Sequence, residues 1–170
     1  MSKPKIVGMM ALIAFTMGIL SVGDAMAGEK HRLIGVYHTI KFEQMNVPGE
    51  EGRVIALWEG KAVTRNKDGE RFGEGLIIHG VGYAGLNMKT GIGSGHFYEE
   101  CTDQDGDKFY TDSEGRMQKI GGVTSWEGRL TITKGTGKYQ GIQGGVTWKN
   151  WLAGPDQLYF DWNVEVELPR

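Results

Sequence analysis

The segment Leu130–Trp148 (LTITKGTGKYQGIQGGVTW) decides the fold class of this chain. Residues that favour a pleated sheet surface stand near its two ends, at Thr131–Thr133 and Val146–Trp148. Between them, glycines permit a tight connection and a close approach of one backbone to another. The segment therefore predicts two β-strands joined by a glycine-rich turn.

The rest of the chain repeats this pattern of short alternating segments between turn residues. In Leu158–Leu168 every second residue is large and apolar and most of the others are polar, which is typical of a strand with one dry and one wet face. Glycine supplies 28 of 170 residues, about twice its average usage, and no long segment keeps a helical period. A hairpin turn is predicted at Ser113–Arg116. Eight strands are predicted: Leu33–Phe42, Arg53–Thr64, Gly75–Tyr83, Gly93–Thr102, Lys108–Asp112, Val123–Thr133, Tyr139–Trp148 and Leu158–Leu168.

Eight antiparallel strands with mostly short connections match an all-β fold, a single up-and-down β-barrel of the calycin-like kind. Closure removes the exposed sheet edges, and eight strands enclose either packed side chains or one small ligand. A two-sheet sandwich is the alternative architecture.

The first 27 residues have the pattern of a cleavable signal peptide. Lys3 and Lys5 precede the apolar run Ile6–Val22, and Ala25–Ala27 matches a small-x-small cleavage site. A membrane anchor is the weaker alternative, because the run is shorter than the roughly 20 apolar residues that a span needs. The sequence thus predicts a β-barrel domain over residues 28–170, periplasmic or secreted, with no membrane association after cleavage.

The net charge and the cysteine content of the chain limit the functions that it can have. The formal net charge is −2, and no basic run is present, which argues against nucleic acid as a partner. Cys101 is the single cysteine, so no internal disulfide forms. We interpret it as a buried, small apolar residue rather than a reactive thiol.

Two motifs resemble those of a known family. Thr133–Gly144 resembles the GGTG-aromatic-x-G-hydrophobic-x-G signature of the allene oxide cyclase and dirigent-like barrel proteins, with Lys134 at a position where glycine is usual. Glu100–Tyr110 resembles the C-x-x-x-D-G-D stretch of their small bacterial exported relatives. The resemblance implies an eight-stranded barrel with an apolar lumen, often trimeric in the plant members. Those members steer cyclisation or radical coupling of hydrophobic substrates without a cofactor, but no motif transfers their catalytic residues by position.

Candidate site residues follow from the expectation that the apolar face of each strand points inward. His38, Glu59, His79 and Glu99 alternate with apolar residues, although Glu59 faces outward if Trp58 is the inward residue of that strand. A carboxyl group in an apolar cavity has a raised pKa and can act as an acid or base, with a histidine relaying the proton. These four are the candidate catalytic residues. The candidate ligand-binding residues are Phe42, Leu57, Tyr83, Phe97, Cys101, Phe160 and Trp162.

Three functions remain open at this point. The first is binding of a small hydrophobic molecule in the lumen, and the alternative is a cofactor-free cyclase or isomerase. The third is a structural or interaction barrel with a filled interior, in which Trp148–Trp151 contributes to a trimer or dimer contact, since aromatic residues are enriched at interfaces.

An acidic stretch raises the question of a metal ion. Asp103, Asp105, Asp107 and Glu114 stand at positions 1, 3, 5 and 12 of an EF-hand-like count. Lys108 occupies the position where that loop needs glycine, and the flanks read as strands. We therefore predict a hairpin turn with solvated acids, no metal site and no cofactor.

Overall fold

Eight antiparallel strands close into a barrel in the computed structural model, which describes residues 28–120 and 122–169. Each strand pairs with its neighbours in sequence, and the first pairs with the last. The predicted signal peptide, residues 1–27, lies outside the described residues. The elements are β1 (Glu29–Asn46), β2 (Arg53–Asn66), β3 (Ile77–Asn87), β4 (Ile92–Thr102), β5 (Lys108–Ile120), β6 (Val123–Gly135), a 3₁₀ turn (Gly137–Tyr139), β7 (Gln143–Gly154) and β8 (Gln157–Glu167).

The predicted all-β up-and-down barrel is confirmed, and the sandwich alternative is wrong. The predicted turn at Ser113–Arg116 is also wrong, because β5 continues through it to Ile120. Ser113 and Gly115 are inward positions of that strand, so the glycine makes room for packing rather than for a turn. Tyr139 lies in the 3₁₀ turn and is buried there instead of starting β7. No helix in the described part of the chain is long and apolar enough to cross a membrane.

Large aromatic rings inside the barrel lie against glycines of their own strand or of other strands. A Cβ atom added at Gly60 would stand 2.3 Å from the Trp58 indole, and one at Gly115 would stand 2.3 Å from the Trp148 indole. Phe97 and Phe160 are similarly close to Gly82 and Gly35. An eight-stranded barrel is too narrow for a full set of large inward side chains, so glycines alternate with rings on its inner wall.

We expect Gly128→Ala to destabilise the barrel by about 1–3 kcal/mol, because the new methyl group overpacks the wall. Its Cβ would stand 2.0 Å from the carbonyl oxygen of Glu114 and 2.7 Å from the Trp148 ring. Gly85→Ala is the matched control, since a Cβ there meets nothing within 4 Å. Urea unfolding of the two variants tests this, and equal losses of stability would contradict it.

One end of the barrel is closed by the β2–β3 connection and the 3₁₀ turn. Phe72 lies 6.4 Å from both Phe109 and Tyr139, measured between ring centroids, and Leu76 is 1% exposed beside them. The Asn66 side-chain amide donates a 2.7 Å hydrogen bond to the Phe72 carbonyl, which holds the connection over this end. The described lumen therefore opens at the opposite end, where β1–β2, β3–β4, β5–β6 and β7–β8 are joined.

A register shift in β1 changes which residues face the lumen. Leu33, Tyr37 and Thr39 point inward, and the pairing with β2 slips between Thr39 and Lys41. Beyond the shift, Phe42 is 54% exposed and lies at the mouth of the lumen. A bulge of this kind reverses the alternation of faces along a strand. Phe42 therefore reaches the lumen mouth although His38, four residues earlier, is exposed outside.

Candidate functional site

The open half of the lumen holds a cavity of about 420 Å³. This volume falls within the range of about 300–1,000 Å³ that is typical of small-molecule sites. Glu99 lies in its wall, and Lys119 and Met88 lie toward the mouth. The other half of the interior is filled by side chains, so the barrel is neither hollow throughout nor packed throughout.

Phe97 lies at the centre of a group of aromatic rings that line the cavity. Its ring meets the rings of Trp58, Trp126 and Trp148 edge to face, at centroid distances of 6.2, 5.7 and 6.1 Å. Edge-to-face pairs of this kind add stability beyond the area they bury. The rings therefore form a packed, apolar surface along the cavity.

Glu99 is the acidic side chain that faces this cavity. Its Oε1 accepts a 2.9 Å hydrogen bond from the Tyr37 hydroxyl, and its Oε2 accepts one of 2.8 Å from the Thr111 hydroxyl. Burial raises the pKa of Glu99 to about 7, although both hydrogen bonds act to lower it. Near neutral pH the carboxyl group is thus divided between its protonated and ionised forms, as an acid–base catalyst requires.

Tyr37 and Thr111 fix the position of this carboxyl group from two different strands. Burial, followed by the charge of Glu99, raises the pKa of the Tyr37 phenol well above its usual value. The phenol therefore stays protonated and donates its hydrogen bond at all moderate pH values. Neither residue was among the candidates from the sequence, and the alternation of Leu33, Gly35 and Tyr37 is the signal that could have shown Tyr37 facing inward.

Six of the candidate residues lie inside the barrel or at its mouth: five are there as expected from their strand faces, and Phe42 is there because of the register shift in β1. Glu99, Phe97, Phe42 and Trp162 line the cavity. Phe160 and Cys101 lie in the packed core, 1% and 0% exposed, and burial raises the pKa of the Cys101 thiol well above its usual value. Their part in ligand binding or catalysis stays a prediction.

The expected inward placement of the other five candidates is wrong. Glu59 and His79 form a hydrogen-bonded pair on the outer face, with Nε2 and Oε1 2.9 Å apart, and His38 is exposed. Leu57 is 48% exposed, and the Tyr83 ring is stacked on His96 outside the barrel. The physical reason is that β1 to β3 carry apolar residues on both faces. The inner face of β2 and β3 carries many glycines and alanines among its larger residues, so it looks less apolar in the sequence than the outer face does.

The acidic stretch between β4 and β5 binds a cationic side chain of the same protein, Lys138 of the 3₁₀ turn. The Lys138 Nζ atom lies 2.6 Å from Asp103 and 2.7 Å from Asp105, and the Asp107 carboxylate accepts the Lys138 backbone N–H at 3.2 Å. Burial alone would raise the pKa of Asp103, but hydrogen bonds from Lys138 and from the N–H groups of Asp105 and Asp107 outweigh it and lower that pKa. Across the described residues, no cluster of three or more histidine, cysteine or acidic residues could hold a metal ion.

The closed barrel with an apolar lumen has the fold of dirigent-like β-barrels. It is similar to a solved structure titled as the pterocarpan synthase dirigent protein GePTS1, with a TM-score of 0.51. The alignment covers 94% of this chain and 100% of that one, at 10% sequence identity, so the likeness concerns the fold alone. No protein-family model and no curated protein sequence matches the chain. The allene oxide cyclase part of the resemblance stays a prediction.

Proposed function

We propose that this protein binds a small hydrophobic molecule in the lumen of the barrel, in the periplasm or outside the cell. The observation that carries the proposal is the cavity of about 420 Å³, walled by rings around Phe97 and open at one end. Transfer of an apolar molecule into such a largely apolar site is favourable, at roughly 25 cal/mol for each Å² of apolar surface removed from water. Oligomerisation as a trimer or dimer is a further expectation, independent of this site.

Binding of Nile red, an uncharged apolar dye, is expected to fall at least about tenfold in an Ala84→Phe variant. Ala84 is 6% exposed and lines the cavity, so a phenyl ring at this position occupies the space of the ligand. Ala153→Phe adds the same ring at an exposed position of β7 and is the matched control. Fluorescence titration measures both affinities, and equal binding by the two variants would place the dye elsewhere. Mass spectrometry of an organic extract of the native protein then identifies the natural ligand.

A second candidate function, cofactor-free isomerisation or cyclisation, is favoured by Glu99. A carboxyl group with a pKa of about 7, held by two hydroxyl groups beside an apolar cavity, can give a proton to a bound molecule or take one from it. Tyr37 and Thr111 keep it oriented while it does so. The solved pterocarpan synthase dirigent protein supports this candidate only to the extent that it shares the fold.

If the extracted ligand is converted by the protein, Glu99→Gln is expected to slow the conversion about 100-fold or more, because an amide neither donates nor accepts the proton. The affinity for the ligand should stay close to that of the wild type, since the amide nearly preserves shape. Glu59→Gln makes the same chemical change on the outer face and serves as the control. A wild-type rate in Glu99→Gln would leave binding as the function.

A further inference from the structure

The outer face of β2 and β3 carries large apolar side chains that no other described element covers. Every second residue of the two strands points outward, and six of these are between 42% and 58% exposed: Ile55, Leu57, Val63, Ile77, Val81 and Tyr83. On β6, which lies opposite β2 in the closed strand order, the outward residues Glu127, Arg129 and Thr131 are polar. An exposed apolar surface confined to one side of a barrel marks an interaction site. We call it the β2–β3 face.

Two residues of opposite charge stand at the middle of the β2–β3 face. Glu59 and Lys61 lie on the outer side of β2, between the apolar Leu57 and Val63. His79 is hydrogen-bonded to Oε1 of Glu59, whereas Oε2 accepts no hydrogen bond from a described residue. A carboxylate accepts hydrogen bonds at both oxygens, so Glu59 can still take an external donor. Lys61 is exposed and forms no ion pair with a described residue. Both residues are therefore open to a partner.

The β2–β3 face is symmetric in character about one row of the sheet. Gly60 and Gly80 are register partners on β2 and β3 and mark this row. The outward residues at equal distances on its two sides form four pairs: Glu59 with Lys61, Leu57 with Val63, His79 with Val81, and Ile77 with Tyr83. Both ends of the face are thus apolar, and an acid and a base stand at equal distances from its centre. A surface with this pattern is complementary to a copy of itself.

We propose that the β2–β3 face binds the β2–β3 face of a second copy of the chain, which gives a two-fold symmetric dimer. A two-fold axis along the Gly60–Gly80 row places each position opposite its counterpart across that row. Glu59 of each copy then meets Lys61 of the other, and apolar ends cover apolar ends. Sheets that pack face to face keep their strands within about 30° of each other, which this arrangement permits. The dimer is independent of ligand binding in the lumen.

The charges select this axis over the other two-fold arrangements. An axis along β2 would place Glu59 opposite Glu59 and Lys61 opposite Lys61. An axis between β2 and β3, parallel to them, would place Lys61 opposite His79 and cover Glu59 with Val81. Like charges in contact, or a covered charge without a counter-ion, oppose association.

The size and charge of the β2–β3 face also fit a second copy. Ile55 to Val63 spans about 26 Å, and with the flanking strands the face offers on the order of 700 Å² of accessible surface, close to the roughly 800 Å² per partner of a standard interface. An anionic membrane surface attracts a basic face, and this one is balanced in charge. A peptide that adds a strand needs a free sheet edge, and each described strand is paired on both sides.

The test is reversal of the two charges, with sedimentation velocity measuring the dissociation constant of the dimer. Glu59→Lys and Lys61→Glu are each expected to raise that constant at least about 100-fold, because each places like charges opposite each other. An equimolar mixture of the two variants is expected to form a heterodimer, since two lysines of one chain then face two glutamates of the other. The double variant Glu59→Lys/Lys61→Glu is expected to dimerise by itself. Glu127→Lys makes the same change on β6 and is the matched control.

Three results would overturn the proposal. The first is a wild-type protein that stays monomeric up to a concentration of about 1 mM. The second is a dimer or trimer that both single variants leave intact, since another face would then form it. The third is loss of the dimer that neither mixing nor the double variant restores. At concentrations where the chain is monomeric the face is open to water, so substitutions on it, Glu59→Gln included, act on stability as ordinary surface changes.

Discussion

As the pH rises from about 4.5 to about 7, the wild-type barrel is expected to lose about 3 kcal/mol of unfolding free energy that a Glu99→Gln variant does not lose. The pKa of Glu99 is raised by burial from 4.5 to about 7, so the folded protein holds this proton more tightly than the unfolded chain does. The stabilisation is complete below the unfolded pKa and disappears as the pH rises through the folded pKa. Above that value, the ionised carboxylate disfavours the folded state.

Urea unfolding at a series of pH values measures this effect as the difference between the wild type and the variant, because other titrating groups are common to both. Glu59→Gln provides the control, since its carboxylate lies on the outer face beside His79. Parallel stability curves for the wild type and Glu99→Gln would show that the Glu99 carboxyl group is not desolvated.

Trp148→Ala is expected to cost about 3–5 kcal/mol of stability, the usual range for truncating a buried aromatic side chain. The indole is 5% exposed and packs over Gly115 and Gly128, and its Nε1 donates a 2.9 Å hydrogen bond to the Ser113 hydroxyl. The wall at this point consists of Gly115 and Gly128, which have no side chains to move into the space. The cavity of the lumen should grow accordingly and accept larger ligands.

Trp151→Ala removes the same ring three residues later in the same strand, where it is 37% exposed. The expected loss of unfolding free energy is below about 1 kcal/mol, the usual effect of removing one stacked aromatic contact at the surface. Chemical unfolding of the two variants under identical conditions makes the comparison. A similar loss in both would mean that Trp148 is not a supporting element of the wall.

The sequence predicts best the strands in which one face is plainly apolar and the other plainly polar. In β8 the inward residues Phe160, Trp162, Val164 and Val166 are buried as the alternation predicts. In β2 and β3 the prediction of the inward face failed, because small residues line the interior there and Leu57 and similar side chains cover the exterior. The rule that apolar residues face inward misleads when a narrow barrel needs glycine and alanine to accommodate rings.

The candidate site was predictable where it rests on a single strand. Phe97, Glu99 and Cys101 alternate on β4, and their shared inward face follows from the sequence alone. The hydroxyl groups that hold Glu99 come from Tyr37 and Thr111, on β1 and β5, and the register of the sheet decides that they meet. Such contacts between distant segments depend on pairing geometry, which periodicity within one strand does not specify.

Because the barrel is closed at one end, a ligand bound in the lumen as proposed would contact the site mainly through the end that enters first. A molecule that enters past Met88 and Lys119 brings its first atoms to Glu99, whereas its trailing part remains near the rim or extends into water. Related ligands of different length would therefore bind with similar affinity, provided that the innermost group of each can hydrogen-bond to a half-protonated carboxyl group. If the lumen binds a ligand as proposed, its closed end therefore makes the chemistry of the innermost group more decisive than the length of the part that extends past the mouth.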